Sequence, residues 1–350
     1  MKKVNYVKSK TLDSIPADYV MVIGARNNGK SYAVKSLVLN KAYKEGTEFI
    51  YLRRYTLDIK DSTCELYFAD CPVSEITNGE YSTVVVYRKQ IFFANVDENG
   101  KAVKGPRIGY CMALSASEHL KSLAFPEVGY IIFEEFIATD AQYLYQEAEF
   151  KLQQLVSTIF RSRRGKVFLI GNTLSRIVPY YREWGLQEVV RKQKQGEIKY
   201  IKKGDATIAV YLTDALNINS GMFFGNAAKT INDGMYEVKE CAHLPKQYFK
   251  YNVLYTFVLW YNEHKFLCQL LQDSAKANEV VWYVQPKTTE LQKRTRVITN
   301  QFSTDPYYAT SFKDLTENER QVVRMLLDGH VCYSDNLTGT EFENISKYFK

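Results

Sequence analysis

The segment Gly24-Ala25-Arg26-Asn27-Asn28-Gly29-Lys30-Ser31 fits the pattern GxxxxGK[ST], and no other feature of the chain restricts its fold as much. It follows an apolar run, Val20-Met21-Val22-Ile23, and precedes a stretch of helical character. Such a loop turns successive backbone N–H groups inward and is backed by a helix N-terminus, which makes it a nest for phosphate. It works only where a buried strand enters and a helix leaves, and the sequence supplies both. The expected contacts are backbone wrapping by Gly24 through Ser31, Lys30 on the β and γ phosphates, and the Ser31 hydroxyl on Mg²⁺.

The surrounding pattern agrees. Short apolar runs at Tyr19 to Ile23, Glu48 to Leu52, Gly109 to Leu114, Tyr130 to Phe133 and Val167 to Ile170 alternate with helix-like stretches, which predicts an α/β domain with a mainly parallel sheet. Leu144, Ala148, Leu152, Leu155, Val156 and Ile159 recur at helical spacing and predict an amphipathic helix over Ala141 to Phe160. Thr83 to Tyr87 and Gln90 to Ala94, flanking Arg88-Lys89, predict a hairpin. At 350 residues the chain has room for about two domains. Residues 1–205 are expected to form the first, ending in a charged junction over Arg191 to Lys203. Residues 206–235 read as a linker, opening on a strand-like run at Thr207 to Leu212 and continuing through the Asn- and Gly-containing Asn217 to Gly225 and Asn226 to Gly234. A second domain over residues 236–350 has strand-like runs at Val253 to Trp260, Lys265 to Leu271 and Val280 to Val284, then a helix at Glu317 to Leu327.

Composition excludes more than it assigns. With 46% hydrophobic and 24% charged residues, the chain is not of the disordered or fibrous type. Six cysteines lack CxxC spacing and do not group with the four histidines, so neither a zinc site nor a disulfide framework is expected. No run approaches the roughly 18 apolar residues of a membrane span and no apolar signal segment opens the chain, which predicts a cytosolic protein. The net charge of +7 permits a polyanionic partner.

A phosphate loop needs a carboxylate for its metal, and Tyr130-Ile131-Ile132-Phe133 runs straight into Glu134 and Glu135. Two acids at the end of a buried strand are costly without a cation or a base role. Glu134 is expected on the metal side and Glu135 as the group that orients and deprotonates water. Asn172, at the tip of Val167-Phe168-Leu169-Ile170, is expected to sense the γ-phosphate. Phe160-Arg161-Ser162-Arg163-Arg164-Gly165-Lys166 packs four cations into one helix end. It fits either a solvated C-terminus or an arginine finger offered to a neighbouring subunit.

Together these segments resemble the additional-strand (ASCE) P-loop ATPases that pump viral DNA into capsids. The likeness is greatest to the compact encapsidation ATPases of small tailed phages of the Picovirinae type, related to large terminases and FtsK-HerA-like motors. Arg26 within the loop belongs to that likeness. The resemblance implies a homo-oligomeric ring, five subunits in the expected case, with ATP and Mg²⁺ at subunit interfaces and double-stranded DNA in the channel. It also implies portal and procapsid as partners, with a structural packaging RNA among the possibilities. The expected place of action is the portal vertex in the host cytoplasm. Arg26 would couple nucleotide state to motion, and Arg161 or Arg163 would be the finger in trans. Glu134 departs from the usual Asp.

Terminases carry a C-terminal nuclease of RNase H type with metal-binding carboxylates, the first on its opening strand. Val253 to Trp260 has the shape of that strand but no acid, and Glu263 lies only in the turn beyond. The expectation is an α+β, RNase H-like domain without nuclease chemistry, with Lys246, Lys250, Lys287, Lys293, Arg294 and Arg296 suited to nucleic-acid phosphates. A helicase or replication or partition ATPase, and a nucleotide-gated nucleic-acid clamp, are the other readings the residues allow.

Overall fold

A computed structural model describes residues 6–138, 148–173, 178–214, 238–261, 264–276, 278–310 and 314–346. The chain divides into two compact units, Met1–Glu237 and Val238–Lys350. Among the described residues, no helix is long and apolar enough to cross a membrane.

The first unit is built on nine strands: β1 Tyr19–Gly24, β2 Glu48–Arg53, β3 Thr83–Tyr87, β4 Gln90–Val96, β5 Ala102–Ala113, β6 Val128–Glu134, β7 Lys166–Asn172, β8 Ile198–Lys203 and β9 Ala206–Leu212. Its helices are α1 Ser9–Asp13, α2 Lys30–Glu45, α3 Asp61–Phe68, α4 Val73–Ile76, α5 Ala148–Phe160, α6 Pro179–Glu183 and α7 Gln187–Lys192. The strand order is β3-β4-β5-β2-β6-β7-β1-β9-β8. From β5 to β9 all neighbours run parallel. Parallel strands covered on both faces read as unbroken apolar runs, and β1, β2 and β7 are buried almost throughout. One face packs Val34, Leu37 and Val38 of α2 with Val20 and Val22. The other packs Leu152, Leu155 and Ile159 of α5 with Met21 and Ile23.

All five expected runs are strands, and the hairpin forms. Its turn is made by Arg88 and Lys89, both with positive φ. Asp61 holds them there, accepting hydrogen bonds from both backbone N–H groups at 2.8 and 3.0 Å. Two expectations fail at the C-terminal edge. The first domain does not stop at 205: β9, which falls in the segment read as linker, pairs with β1 from Tyr19 to Ile23. Within the charged junction, β8 is an edge strand on β9. Lysines on both faces of an edge strand, here Lys199, Lys202 and Lys203, mask a strand signal while protecting the edge. The expected helix from Ala141 is described from Ala148 onward; Leu144 and residues 215–235 lie outside the described residues.

The second unit holds β10 Tyr251–Tyr261, β11 His264–Asp273, β12 Val280–Pro286, β13 Val297–Thr299, β14 Tyr308–Ala309 and β15 Val331–Tyr333, with helices α8 Glu317–Asp328 and α9 Asn336–Ser346. The order is β14-β13-β10-β11-β12-β15. β10, β11 and β12 form an antiparallel meander, and β13 and β14 continue parallel on the far side of β10. That is the strand order of an RNase H-type sheet, with β15 added beside β12.

Candidate nucleotide site

β1 delivers the chain into the loop at Gly24, and α2 takes it up at Lys30. Between them Asn27 (φ 60°) and Gly29 (φ 83°) are left-handed, a conformation in which glycine carries no steric penalty. Gly24 is required for space: a Cβ there would stand 1.9 Å from Thr213 Oγ1. Thr213 follows β9, and its backbone N–H and hydroxyl both donate to Ile23 C=O, at 2.8 and 3.0 Å. Asn28 Nδ2 donates to the Thr213 hydroxyl in turn. The loop is therefore latched to the strand beside it.

Lys30 is 5% exposed. Its ammonium donates to Gly24 C=O at 3.1 Å, to Ala25 C=O, to Asn28 Oδ1 at 3.0 Å and to Asn172 Oδ1 at 3.3 Å. Burial pushes its pKa down to about 7, opposed by the Glu134 charge and aided by Arg26. Asn172 stands at the end of β7, paired with Gly24. Because β7 lies between β1 and β6, Glu134 comes in one strand further out, level with Ile170.

Glu134 is 6% exposed, and burial raises its pKa. Ser31 and Tyr67 hydrogen-bond its carboxylate and favour the charged form. The Tyr67 hydroxyl donates to Oε1 at 2.7 Å, and its ring stacks on Tyr51 with centroids 4.3 Å apart. Glu135 has φ 53° and accepts from Arg53 Nη2 at 2.8 Å through Oε2, while its backbone C=O accepts from Arg54 at 2.6 Å. Lys30, Ser31, Glu134, Glu135 and Asn172, with Arg26, Asn27, Asp70, Tyr6 and Tyr32, line a cavity of about 730 Å³. The Ser31 hydroxyl beside the Glu134 carboxylate is an oxygen donor set of the kind Mg²⁺ takes together with water.

Ser31, Lys30, Glu134, Glu135 and Asn172 are thus brought together, as the sequence reading expects. Arg161 and Arg163 are not among them. They sit where α5 ends and β7 begins, at the opposite end of the parallel strands from the loop. Arg163 is committed to its own chain, donating to Val128, Phe125 and Ile159 carbonyls at 3.0, 2.7 and 3.0 Å. Arg163 thus closes the end of α5, which leaves Arg161 as the candidate finger. Arg161, exposed, makes one 3.1 Å bond to Leu123 C=O. Sequence reasoning missed Arg53, Tyr67 and Thr213. The charged pair Arg53-Arg54 closing a buried strand was a readable signal; the other two depend on tertiary contacts alone.

In the second unit the six expected cations do not form one patch. Lys246, paired with the buried Asp273, and Lys250 lie at the start of β10. Lys287 lies beyond the far end of the meander, bonded to Thr289 and Glu290, roughly 30 Å away along an eleven-residue strand. Arg296 is taken up by Glu319 at 2.7 Å and by Pro306 and Asp314 carbonyls, so it is a structural residue. Lys250, Lys293 and Arg294 are exposed.

The family described as Podovirus DNA encapsidation protein (Gp16) matches residues 1–205. The DNA packaging protein of Bacillus phage B103 is 35% identical over 175 residues, 49% of this chain and 49% of that protein. The DNA packaging protein of Bacillus phage phi29 is 33% identical over 175 residues, 49% of this chain and 48% of that protein. The chain thus spans about half the length of the curated relatives it matches. A structure of the bacteriophage Phi-29 viral genome packaging motor assembly shares the fold with a TM-score of 0.59 at 21% identity, over 99% of this chain and 100% of that chain.

Proposed function

The chain belongs to the podovirus DNA encapsidation protein (Gp16) family, and from that premise we propose that it is the ATP-hydrolysing subunit of a motor driving viral double-stranded DNA into a preformed capsid. The observation that carries this reading is the convergence of Lys30, Ser31, Glu134, Glu135 and Asn172 on one cavity at the end of the parallel strands. Bound ATP and Mg²⁺ supply the phosphoryl group and offset its charge. Ser31 and Glu134 hold the metal. Lys30 exchanges its bonds to Gly24, Ala25 and Asn28 for phosphate oxygens. Glu135, once released from Arg53, accepts the proton of the attacking water. Asn172, bonded to Lys30, registers the change at the phosphates, and Arg26 passes it outward.

At the far end of the parallel strands from its own phosphate loop, Arg161 serves a neighbour's site, in a closed homo-oligomeric ring of five subunits at the portal vertex in the host cytoplasm. The second unit grips nucleic acid, the portal or a structural packaging RNA and does not cut, a reading that rests on the sequence of β10, which has no acid. The test is DNA-stimulated ATPase in mixtures of Lys30→Ala and Arg161→Ala subunits. Each alone is expected to be inactive and the mixture active; no rescue at any ratio refutes the shared site. Strand separation on a forked substrate would indicate a helicase, and turnover indifferent to long DNA would indicate a clamp.

A further inference from the structure

Two side chains lining the cavity are large, aromatic and exposed: Tyr6, at 52%, and Tyr32, at 42%. Single exposed aromatics are ordinary on protein surfaces. Tyr6 differs in how it is held. It precedes α1, outside both loop and sheet, yet its ring rests on the phosphate loop: Cδ1 and Cγ lie 3.3 and 3.7 Å from where a Cβ on Gly29 would stand. The next residue, Val7, donates its backbone N–H to Asn28 C=O at 3.1 Å. Five residues further, Leu12 is fully buried in the core with Val34 and Val38 of α2. A short strap, anchored at both points, thus presents an aromatic ring at the rim of the cavity.

The polar lining is accounted for by phosphate, metal and water. A nucleoside triphosphate also carries a flat base, which needs an apolar face to lie on, and bases stack on aromatic side chains. We propose that Tyr6 is the base-binding residue of this site, stacking on the purine of the triphosphate whose phosphates Gly24 through Ser31 hold. The proposal rests on the nucleotide reading above and extends it to a segment remote from every motif. Stacking reads the face of a base and not its edge, so Tyr6 supplies affinity for purines without choosing between adenine and guanine.

The experiment measures the affinity of the full chain, with Mg²⁺, for ATP, GTP and inorganic tripolyphosphate by calorimetry. Tyr6→Ala is expected to weaken ATP and GTP about tenfold and to leave tripolyphosphate unchanged. Tyr6→Phe, which keeps the ring, retains affinity. Tyr6→Leu, which still covers Gly29 but has no π face, falls with Ala. Unchanged ATP affinity in Tyr6→Ala overturns the assignment, as does equal weakening of ATP and tripolyphosphate, which would make Tyr6 a support for the loop. A purine-selective loss in Tyr32→Ala in place of Tyr6→Ala also overturns it. If the unaltered chain binds neither ATP nor tripolyphosphate, the nucleotide reading itself fails, a distinct outcome.

Discussion

Lys30 is buried before any phosphate arrives, and its pKa near 7 is the cost of that arrangement. The unfolded chain holds this proton up to the ordinary lysine value of 10.5, so the group makes stability rise with pH between about 7 and 10.5. Phosphates restore the charged form. ATP binding at pH 8 should therefore take up close to one proton, read as a difference in binding heat between two buffers of unlike ionisation enthalpy; identical heats would rule this out. Gly24 makes a second prediction. An added methyl would meet Thr213 Oγ1 at 1.9 Å and Asn28 Nδ2 at 2.9 Å. Gly24→Ala should then cost about 1–3 kcal/mol by overpacking, measured from the denaturant midpoint. Thr213→Ala in the same chain should return part of the loss. Glu135→Gln should bind ATP and DNA yet turn over very slowly; near wild-type turnover would remove Glu135 from the base role. Residue by residue, the phosphate loop and Glu134-Glu135 were legible because each is a contiguous stretch that local chemistry explains. Arg53, Tyr67 and Thr213 act on those residues from 82, 67 and 185 positions away, and no spacing rule joins them.

At the scale of elements, the parallel strands were legible because burial on both faces leaves nothing but apolar residues in them. β8 was not, since its lysines fall on both faces, Lys199 and Lys203 beside Ile201 and Lys202 beside Ile198 and Tyr200, and leave no apolar alternation to read. The tiny β13 and β14, three and two residues long, are below the length at which any period can register. The end of α5 separates two arginines that look alike in sequence. Arg163 bonds three carbonyls of its own chain, so Arg163→Ala should lower stability by about 1–3 kcal/mol through the bonds lost and spare the ATPase of the molecules that fold. Arg161→Ala should do the reverse. Thermal unfolding beside steady-state hydrolysis checks both.

For the whole molecule, the division after Glu237 puts β9 inside the first unit, though composition changes near residue 205. A fragment ending at 205 would bare the edge of β1, the strand that carries the phosphate loop. That fragment should fail to bind ATP or precipitate, whereas one ending at 237 should bind it, with nucleotide-dependent thermal shift as the measurement. In the second unit, Lys250, Lys293 and Arg294 remain the exposed candidates for phosphate contact. Each one that touches DNA should lower the salt slope of binding by about 0.9 when neutralised.

The way β9 is joined to β1 bears on how such a chain withstands load. Five consecutive residues of β9 run parallel to β1, and Thr213 then fastens the chain to Ile23 and Asn28. Tension drawn along the backbone past that point would set the whole ladder in shear, loading its rungs at once where an antiparallel hairpin would unzip them singly. A tug on the exit strand is delivered at the turn that grips phosphate.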